Sequence, residues 1–563
     1  MLKKSLFIRI LTIASLLLVN LQWGIVSASP VDSEIQSVIL YVKPGANGDC
    51  LSWDTACELQ TALTNATEGD QIWVAEGTYK PTTDSNREAT FQLKNGAAIY
   101  GGFPAAGGDW SQRDWETNIT TLSGEIGIVG NSNDNSYHVV TGSGVGVTTI
   151  LDGFTINLGN ANGTSLNSYG GGGMYNHSSS PTLTNIIFSS NSAVWWGGGM
   201  YNDGSSPTLS NVTFSGNTSH AGGGMYNDGS SPTLSNVTFS ENTVNGDNGA
   251  GGGIYNIGSS PTLTNVTFSS NTGIGNNVNG GGMYNYSSSP TLTDVIFSEN
   301  TAVLGGGMYN ASSSPNLTNV TFSGNLANYG GGGMGNSNSS SPTLTSVTFT
   351  SNTATDSGGG MYNYEDCSPA LTDVTFSENT AGLGGGMSNY YSSSPTLTNV
   401  TFNGNTAING GGMSNHYSSS PSLTNVTFTS NTASDSGGGM YNGSGSSTLT
   451  NAILWGNTPD QIHGSAIVTY SDIQGGYSGT GNINQNPYLG PLAYNGGFTK
   501  THALGAGSPA IDAANTSSCS PFDQRGAARP TDGDGDGTAS CDMGSYEYVS
   551  SYFYIYLPLV MRN

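Results

Sequence analysis

Positive charge is scarce in this sequence. The 563 residues include 12 Lys and Arg against 37 Asp and Glu, which gives a formal net charge of −25. Between Arg113 and Lys500 there is no Lys or Arg at all. Binding to nucleic-acid phosphates or to anionic lipid needs clustered cationic side chains. The body of the chain therefore excludes nucleic acids and anionic membrane surfaces as partners.

Cysteine is also rare, with five residues in the whole chain. Cys50 lies close to Cys57, Cys519 and Cys541 lie near the C-terminus, and Cys367 stands alone. In an oxidising compartment the first four can form two disulfides. We expect these two bridges and a free Cys367.

Long apolar runs are almost absent apart from residues 10–26, which follow Lys3, Lys4 and Arg9. The run ends in Val-Ser-Ala at residues 26–28, a typical signal-peptidase site. Residues 1–28 are therefore predicted to be a signal peptide. The apolar tail, residues 549–563, is too short to span a bilayer. We expect an exported protein, extracellular or on the cell surface, without a membrane-spanning segment in the mature chain.

Glycine is abundant, with 84 residues, and it occurs in an internal repeat. Eleven copies of Gly-Gly-Gly-Met-Tyr-Asn followed by Ser-Ser-Pro-Thr-Leu-Thr-Asn-Val-Thr-Phe-Ser-x-Asn, with variations, fill residues 167–457 at intervals of about 26 residues. Leu, Val and Phe alternate with Thr, which is the period of a strand and not of a helix. The insertions at 245–250 and 273–279 fall at the same point of the repeat, which indicates loops on one face.

Repeats of this length, with short strands between Asn, Gly and Ser-Pro corners, predict an all-β parallel β-helix. Equivalent residues of successive coils then lie about 4.8 Å apart, with Leu, Phe and Met inside the tube. Asn217, Asn242, Asn271 and Asn300 each follow a Phe by three residues. We expect them to form a hydrogen-bonded ladder at a bend, in left-handed backbone conformation.

The pairing of Gly-Gly-Gly-Met with Phe-Ser-x-Asn once per coil resembles the repeats of the chlamydial polymorphic outer membrane proteins. That resemblance implies a right-handed β-helix, an outer-membrane location and an adhesin role. Upstream, residues 53–66 are predicted to form a capping helix with Thr55 and Glu58 as its capping box. Residues 70–81 resemble the entry strand of pectin-lyase-like β-helices. We assign residues 29–81 to this cap and entry strand, and residues 82–166 to irregular first coils.

The C-terminal region, residues 458–548, contains exit coils followed by segments that resemble a choice-of-anchor Q domain. These segments include Gly-Ser-Pro-Ala-Ile-Asp at 507–512, Asp-Gln-Arg-Gly at 523–526 and Cys-Asp-Met-Gly-Ser-Tyr-Glu at 541–547. The resemblance implies a secreted or surface protein. The resemblance does not indicate how the tail would attach the protein to a surface.

A half EF-hand motif suggests a metal site. Asp532, Asp534 and Asp536 have the spacing of the first three calcium ligands of such a loop, and Asp542 can replace the missing glutamate. The alternative is a solvated acidic turn whose charge is balanced by Arg525 and Arg529. Calcium is the cofactor that this pattern allows.

Enzymatic activity is the main alternative to a structural role, because polysaccharide lyases and hydrolases share the β-helix. The lack of Lys and Arg argues against β-elimination on uronates. Glycoside hydrolysis needs two nearby carboxylates, and the sequence offers three candidate pairs, each also explained as a repeated surface residue: Asp203 with Asp228, Asp294 with Glu299, and Asp373 with Glu378. Ser508, His502 and Asp512 lack a nucleophile-elbow motif. No catalytic constellation is assigned.

Aromatic side chains give a further hypothesis. If the Met of each repeat faces inward, the following residue faces outward, which predicts an exterior ladder of Tyr175, Tyr201, Tyr226, Tyr255, Tyr284 and Tyr309 beside Trp195 and Trp196. Such a ladder either binds a glycan or a surface protein or simply stabilises the sheet. We predict an exported, adhesin-like or structural β-helical protein with a possible binding face. The alternative is a carbohydrate-active enzyme on the same scaffold.

Overall fold

The computed structural model describes residues 37–165 and 168–550, so the predicted signal peptide and most of the apolar tail lie outside the described residues. The fold is an all-β parallel β-solenoid, as the repeats predicted. The described residues contain one α-helix, Leu59–Asn65, and three short 3₁₀ turns at Trp110–Gln112, Ser132–Asp134 and Thr516–Ser518.

The largest sheet, called sheet A here, has 25 strands and runs along the solenoid from its first coil to its last. Each full repeat contributes one strand that bends in the middle or two short strands. Its strands are Ile39–Val42, Gln71–Ala75, Gly77–Tyr79, Ala98–Phe103, Thr120–Ser123, Ile150–Asn157, Thr182–Ser189, Thr208–Ser215, Thr233–Ser240, Thr262–Ser269, Thr291–Ser298, Asn316–Thr318, Thr321–Ser323, Thr343–Thr345, Thr348–Thr350, Ala370–Thr372, Thr375–Ser377, Thr396–Thr398, Thr401–Asn403, Ser422–Thr424, Thr427–Thr429, Ser447–Thr450, Ile453–Trp455, Ala466–Thr469 and Asp472–Ile473.

Sheet B has 14 strands, which are the Met-Tyr-Asn segments of the repeats and their equivalents at either end. They are Phe91–Gln92, Val140–Thr141, Met174–His177, Met200–Asp203, Met225–Asp228, Ile254–Ile257, Met283–Tyr286, Met308–Ala311, Met334–Ser337, Met361–Tyr364, Met387–Tyr390, Met413–Asn415, Met440–Asn442 and Ile462–His463.

Sheet C is shorter and lies between sheets A and B in the chain order of each repeat. Its strands are Asn160–Ala161, Ser192–Ala193, Thr218–Ser219, Thr243–Asn245, Thr272–Ile274, Thr301–Leu304, Leu326–Gly330 and Thr353–Ala354, with Thr406–Asn409 and Thr432–Ser436 as a separate pair. Two antiparallel strands, Leu489–Ala493 and Thr501–Leu504, follow the last coil.

The core is built from identical side chains stacked in register. Phe188 lies 4.7 Å from Phe214, measured between ring centroids, and the stack continues to Phe428. The Met, Leu and Val series are likewise buried, as expected. Because a buried side chain of this size contributes about 1.5–3 kcal/mol, every coil adds a similar hydrophobic increment.

The predicted asparagine ladder is present, with one correction. The Asn217 amide donates to Asn242 Oδ1 at 3.0 Å, and the same bond repeats from coil to coil. The left-handed residue, however, is the one before each ladder Asn, for example Glu241 with φ 57° and Ser270 with φ 55°. That residue makes the bend, and the Asn that follows it turns its side chain into the tube.

The glycine triplets form the corner that leads into sheet B. Gly222 has a φ of 64°, which favours glycine, and a Cβ on Gly223 would lie 2.5 Å from the carbonyl oxygen of Gly252 in the next coil. The triplets are therefore required by the close stacking of backbones, as expected.

The capping helix is shorter than predicted. It begins after Glu58, and no side chain caps its first turn. Cys50 and Cys57 are joined by a disulfide, and the Cys50 N–H bonds to Thr55 O at 2.9 Å. This closed turn prevents the helix from starting at residue 53, so the predicted capping box does not form. Glu58 instead accepts a hydrogen bond from the Gly45 amide.

The segment after the last coil folds back onto the outer face of sheet A. Thr375 Oγ1 donates to Lys500 O at 2.8 Å, Asn399 donates to Phe522 O at 2.9 Å, and Asn451 bonds to Asn515. This segment, residues 486–548, therefore covers the outer side of sheet A over the last coils. No helix in the described residues is long and apolar enough to cross a membrane.

Removing one rung of the asparagine ladder tests the fold. In Asn271→Ala, Phe239 O and the Asn242 amide lose their side-chain partners, and so does Asn300 Oδ1. Because buried polar groups without partners are costly, we expect a loss of about 2–4 kcal/mol of stability, visible as a lower midpoint of thermal unfolding. Thr264→Ala, on the exposed side of the same coil, is the control. An unchanged midpoint in Asn271→Ala would contradict the role of the ladder.

Candidate functional site: the outer face of sheet B

The outer face of sheet B carries most of the side chains that bear on function. Within each Met-Tyr-Asn-x segment, Met and Asn point into the tube and are fully buried. The Tyr and the residue after Asn point outward. Since the coils stack in register, Tyr201 pairs with Tyr226 and Asp203 pairs with Asp228. Each outward position therefore forms a row along the solenoid.

The predicted Tyr ladder lies on this face, and its rings contact one another in sequence. Ring centroids are 5.3 Å apart for Tyr175 and Tyr201, and 4.8 Å apart for Tyr226 and Tyr255; the contacts continue to Tyr284 and Tyr309. The four most enclosed members, Tyr175, Tyr201, Tyr226 and Tyr309, retain only 5–9% exposure. The ladder is thus less open than an exterior platform would be, because each ring covers its neighbours. Ligand binding by the ladder stays a prediction.

The two tryptophans have different surroundings. Trp196 stacks on Tyr226 at 5.6 Å and helps to enclose the ladder. Trp195 is 47% exposed and contacts His220 edge-on at 5.2 Å. Trp195 is therefore the accessible part of the predicted aromatic set in these first coils.

A polar cluster borders the first rungs of the ladder. His177 Nδ1 lies 2.7 Å from Asp203 Oδ2, and Tyr175 donates to the same oxygen at 3.4 Å. Burial, together with the negative charge of Asp203, raises the pKa of Asp228. Burial and Asp203 also raise the pKa of Tyr175 to about 12. The two acids stand on directly paired strands, whose backbones are about 4.8 Å apart, and thus share a partly buried and aromatic environment.

A second aromatic cluster on sheet B was not predicted from the sequence. In the coils at residues 387–417 the Tyr row is replaced by Ser388 and Ser414, and the aromatic residues move three and four positions after Met. The rings in contact are Tyr364, Tyr390, Tyr391, His416 and Tyr417. The signal was present, since Tyr390-Tyr391 and His416-Tyr417 stand where other copies have Asp-Gly or Tyr-Ser.

The other candidate carboxylate pairs do not form sites. Asp294 and Glu299 lie at two successive bends of one coil, with φ of 56° and 57°. Asp373 Oδ1 accepts from the Asn399 amide at 3.0 Å beneath the folded-back segment. Burial raises the pKa of Asp373 to about 6. Asp294 is thus a repeated surface residue, as the alternative explanation had it, whereas Asp373 is a repeated bend residue that the folded-back segment covers.

Ser508, His502 and Asp512 do not form a triad. The Ser508 hydroxyl donates to Pro487 O at 2.7 Å, while His502 bonds to Gly490 O at 2.7 Å and to Asn403 Oδ1 at 3.1 Å. Asp512 Oδ2 instead accepts from the amides of Gly533 and Asp534.

The acidic loop near the C-terminus differs from the predicted ligand set. Asp512, Asp532 and Asp534 bring carboxylate oxygens within 4.8 Å of one another. Asp542, which was expected to complete the site, is buried and accepts hydrogen bonds from the amides of Asp512 and Tyr548. Asp536, also predicted as a ligand, is not in this group of carboxylates. Calcium binding at this loop stays a prediction, with Asp512 in the place that we had given to Asp542.

The two arginines do not balance this loop, contrary to the alternative considered above. Arg525 pairs with Asp523 at 2.7 Å, and Arg529 pairs with Glu547 at 3.1 Å, the latter pair fully buried. Burial and the nearby Glu547 raise the pKa of Asp542 to about 8. Burial and the negative charge of Glu547 outweigh the nearby Arg529 guanidinium, which by itself lowers the pKa of Asp542.

The most motif-like residues of the C-terminal region hold this segment against sheet A. Gln524 Nε2 donates to Thr375 Oγ1 at 2.8 Å and to Thr499 Oγ1 at 2.9 Å, and Thr401 donates to Gln524 Oε1 at 2.7 Å. Ser545 bonds to Thr401 at 2.9 Å. Cys519 and Cys541 are disulfide-bonded, and Cys367 is free and buried. Gln524, Ser545 and the bridged Cys519 and Cys541 therefore have a packing role.

No family model and no curated protein matches the chain. Among solved structures it is similar to pectate lyase Pel9A, with 13% identity over 91% of this chain and 97% of that chain and a TM-score of 0.27. A polygalacturonase from Erwinia carotovora ssp. carotovora matches with 12% identity over 77% of this chain and 91% of that chain, at a TM-score of 0.21. The Family 28 exopolygalacturonase of Yersinia enterocolitica matches with 14% identity over 77% of this chain and 78% of that chain, at a TM-score of 0.19. These similarities concern the fold alone.

Asp373 provides a test of the folded-back segment. The pKa of Asp373 is higher in the folded protein than in the unfolded chain, so protonation of this side chain favours the folded state. This contribution to stability is complete below about pH 4 and is lost as the pH rises through about 6. Asp373→Asn removes the charge and retains an acceptor for Asn399. Allowing for its partial exposure, we expect it to stabilise the protein by about 1–2 kcal/mol at pH 8 and to have little effect at pH 4.

Thermal unfolding at pH 4, 6 and 8 measures this effect. Asp294→Asn is the matched control, because Asp294 occupies the same repeat position and accepts a similar bond from Asn319, but is exposed. A stabilisation of equal size at pH 4 and pH 8, or the same gain in both variants, would contradict the explanation from burial.

Proposed function

We propose that this protein is an exported β-solenoid that binds polysaccharide through the outer face of sheet B. The role is adhesin-like or structural, and the glycan is the partner. The observation that carries the proposal is the distribution of aromatic side chains: ring contacts follow this face from His138 to Tyr309 and again from Tyr362 to His463.

The other faces are less suited to a long ligand. The folded-back segment covers the outer side of sheet A in the last coils. Sheet C carries the insertions at 245–250 and 273–279, whose backbones bond to each other through Asn248 and Asn276. Sheet B carries two series of aromatic rungs, separated at Gly335, with hydroxyl, imidazole and carboxyl groups at their edges. Flat rings with polar edges match the apolar faces and hydroxyl rims of sugars.

Retention by polysaccharide tests the proposal. We expect the chain from residue 29 to be retarded in affinity gels that contain neutral polysaccharides, such as a β-glucan, a xylan or a galactomannan. Polygalacturonate should retard it less, because both partners are anionic. Trp195→Ala should weaken retention, whereas Val194→Ala, at the equally exposed neighbour (47% for both side chains), should not. Absence of retention by all of the polysaccharides would refute the proposed function.

A second candidate function is hydrolysis of a bound glycan by Asp203 and Asp228. It is favoured by the register of the two acids and by the raised pKa of Asp228. In glycoside hydrolysis of the retaining type, the protonated acid donates its proton to the leaving oxygen while the other carboxylate attacks the sugar carbon, at a carboxyl separation of about 5–5.5 Å. Water, deprotonated by the first residue, then attacks the sugar carbon, which frees the second carboxylate and returns the proton to the first. Asp228 would be the acid and Asp203, held by His177, the nucleophile.

The appearance of new reducing ends distinguishes this activity from binding alone. If hydrolysis occurs here, Asp228→Asn should lower the rate by about two orders of magnitude or more, because the proton donor is lost, while retention by the same polysaccharide persists. Asp435→Asn, at an exposed aspartate outside this cluster, should be without effect. Wild-type protein that retains polysaccharides but releases no ends would eliminate this second candidate.

A further inference from the structure

Two tyrosines of the second aromatic cluster stand out from the rest of the surface. Tyr391 and Tyr417 occupy the same position in adjacent coils, and their rings stack with centroids 4.7 Å apart and planes inclined by 11°. They are 45% and 53% exposed, in contrast to the enclosed members of the first ladder. Tyr364 lies against Tyr391 edge-on at 5.3 Å, and Tyr390 lies 5.6 Å from Tyr417. We call Tyr391 and Tyr417 the tyrosine platform.

The backbone at the platform is unfavourable for tyrosine. Tyr391 has a φ of 49° and Tyr417 a φ of 48°, and bulky residues seldom adopt this left-handed conformation. Equivalent positions of other coils have similar φ values but hold no aromatic residue; they are Gly or Ser in most coils, and Asn338 and Glu365 in two. The fold therefore accepts small residues here, and two adjacent tyrosines add exposed aromatic surface at a conformational cost. Folding alone does not explain them.

The surroundings indicate the chemistry of the occupant. Each platform tyrosine is followed by one exposed serine, Ser392 or Ser418, whereas the next serine of each segment is buried. The preceding coil places Glu365 and Asp366 next to Tyr364 in the chain. The cations of the folded-back segment that docks on these coils lie on the side of sheet A, where Lys500 O accepts from Thr375 Oγ1. Parallel rings, hydroxyl groups and negative charge suit an uncharged sugar and repel anionic polymers.

We propose that the tyrosine platform is a subsite for a neutral polysaccharide, whose sugar rings lie against the exposed edges of the stacked Tyr391 and Tyr417 rings. This inference rests on the proposed function and specifies its site and ligand class. The platform is parallel to the solenoid axis, so the glycan chain runs along sheet B and crosses successive coils.

The test compares Tyr391→Ser/Tyr417→Ser with the wild-type chain in affinity gels containing the neutral polysaccharides named above or polygalacturonate. Serine occurs naturally at this left-handed position, so the double variant should keep the β-sheet circular dichroism and unfold at an equal or higher temperature. We expect its affinity for the retained neutral polysaccharide to fall by about tenfold or more, since two aromatic contacts are lost.

Tyr488→Ser is the matched control. Tyr488 is also exposed, at 56%, and left-handed, with a φ of 48°, but it lies in the folded-back segment away from sheet B. Its loss should leave retention unchanged. The inference is overturned if the double variant binds as wild type does, if Tyr488→Ser weakens binding equally, or if polygalacturonate is the better ligand. Wild-type retention with an unaffected double variant would reject the platform and leave the proposed function standing. Absence of any retention would reject both.

Discussion

The structure depends on register between successive coils. The amide of one ladder asparagine donates to the side chain of the next, and its second hydrogen goes to a Phe carbonyl of the preceding coil. A slip of one residue would place these amides outside and the threonines inside. Phe, Leu and Met stacks add hydrophobic area, which is not directional, whereas the amide ladder accepts only one alignment. The buried asparagines therefore specify the register that the apolar residues stabilise.

This division separates positions that the fold constrains from positions that it leaves free. On sheet B the inward Met and Asn are nearly invariant along the repeats, but the outward residue after Asn is His177, Asp203, Ile257, Tyr286 or Tyr390. Variation in an otherwise regular repeat is not needed for stacking. The outward side chains, and with them the chemical character of this face, can accordingly change from coil to coil without altering the core. The two aromatic clusters differ in exposure because they use different outward positions of the repeat.

The sequence predicted the solenoid, its inward residues and the asparagine ladder because each depends on a periodicity that recurs about every 26 residues. It failed where a single long-range contact decides the outcome. The turn closed by Cys50 and Cys57 shortens the capping helix. Asp542 is drawn into the interior beside Glu547, and Asp512 takes its place near the acidic loop. Tyr391 and Tyr417 were overlooked because they depart from the repeat, although that departure is what makes them informative.

Charge explains how a strongly acidic chain closes its last coils. Arg525 and Arg529 are among its few cations, and both are used inside the folded-back segment to pair with Asp523 and Glu547. Buried ion pairs stabilise little by themselves, since desolvation offsets much of the attraction, but removing either partner would leave a buried charge. The segment must therefore dock as a unit. Its docking covers threonines of sheet A in the last coils and leaves the outer face of sheet B uncovered.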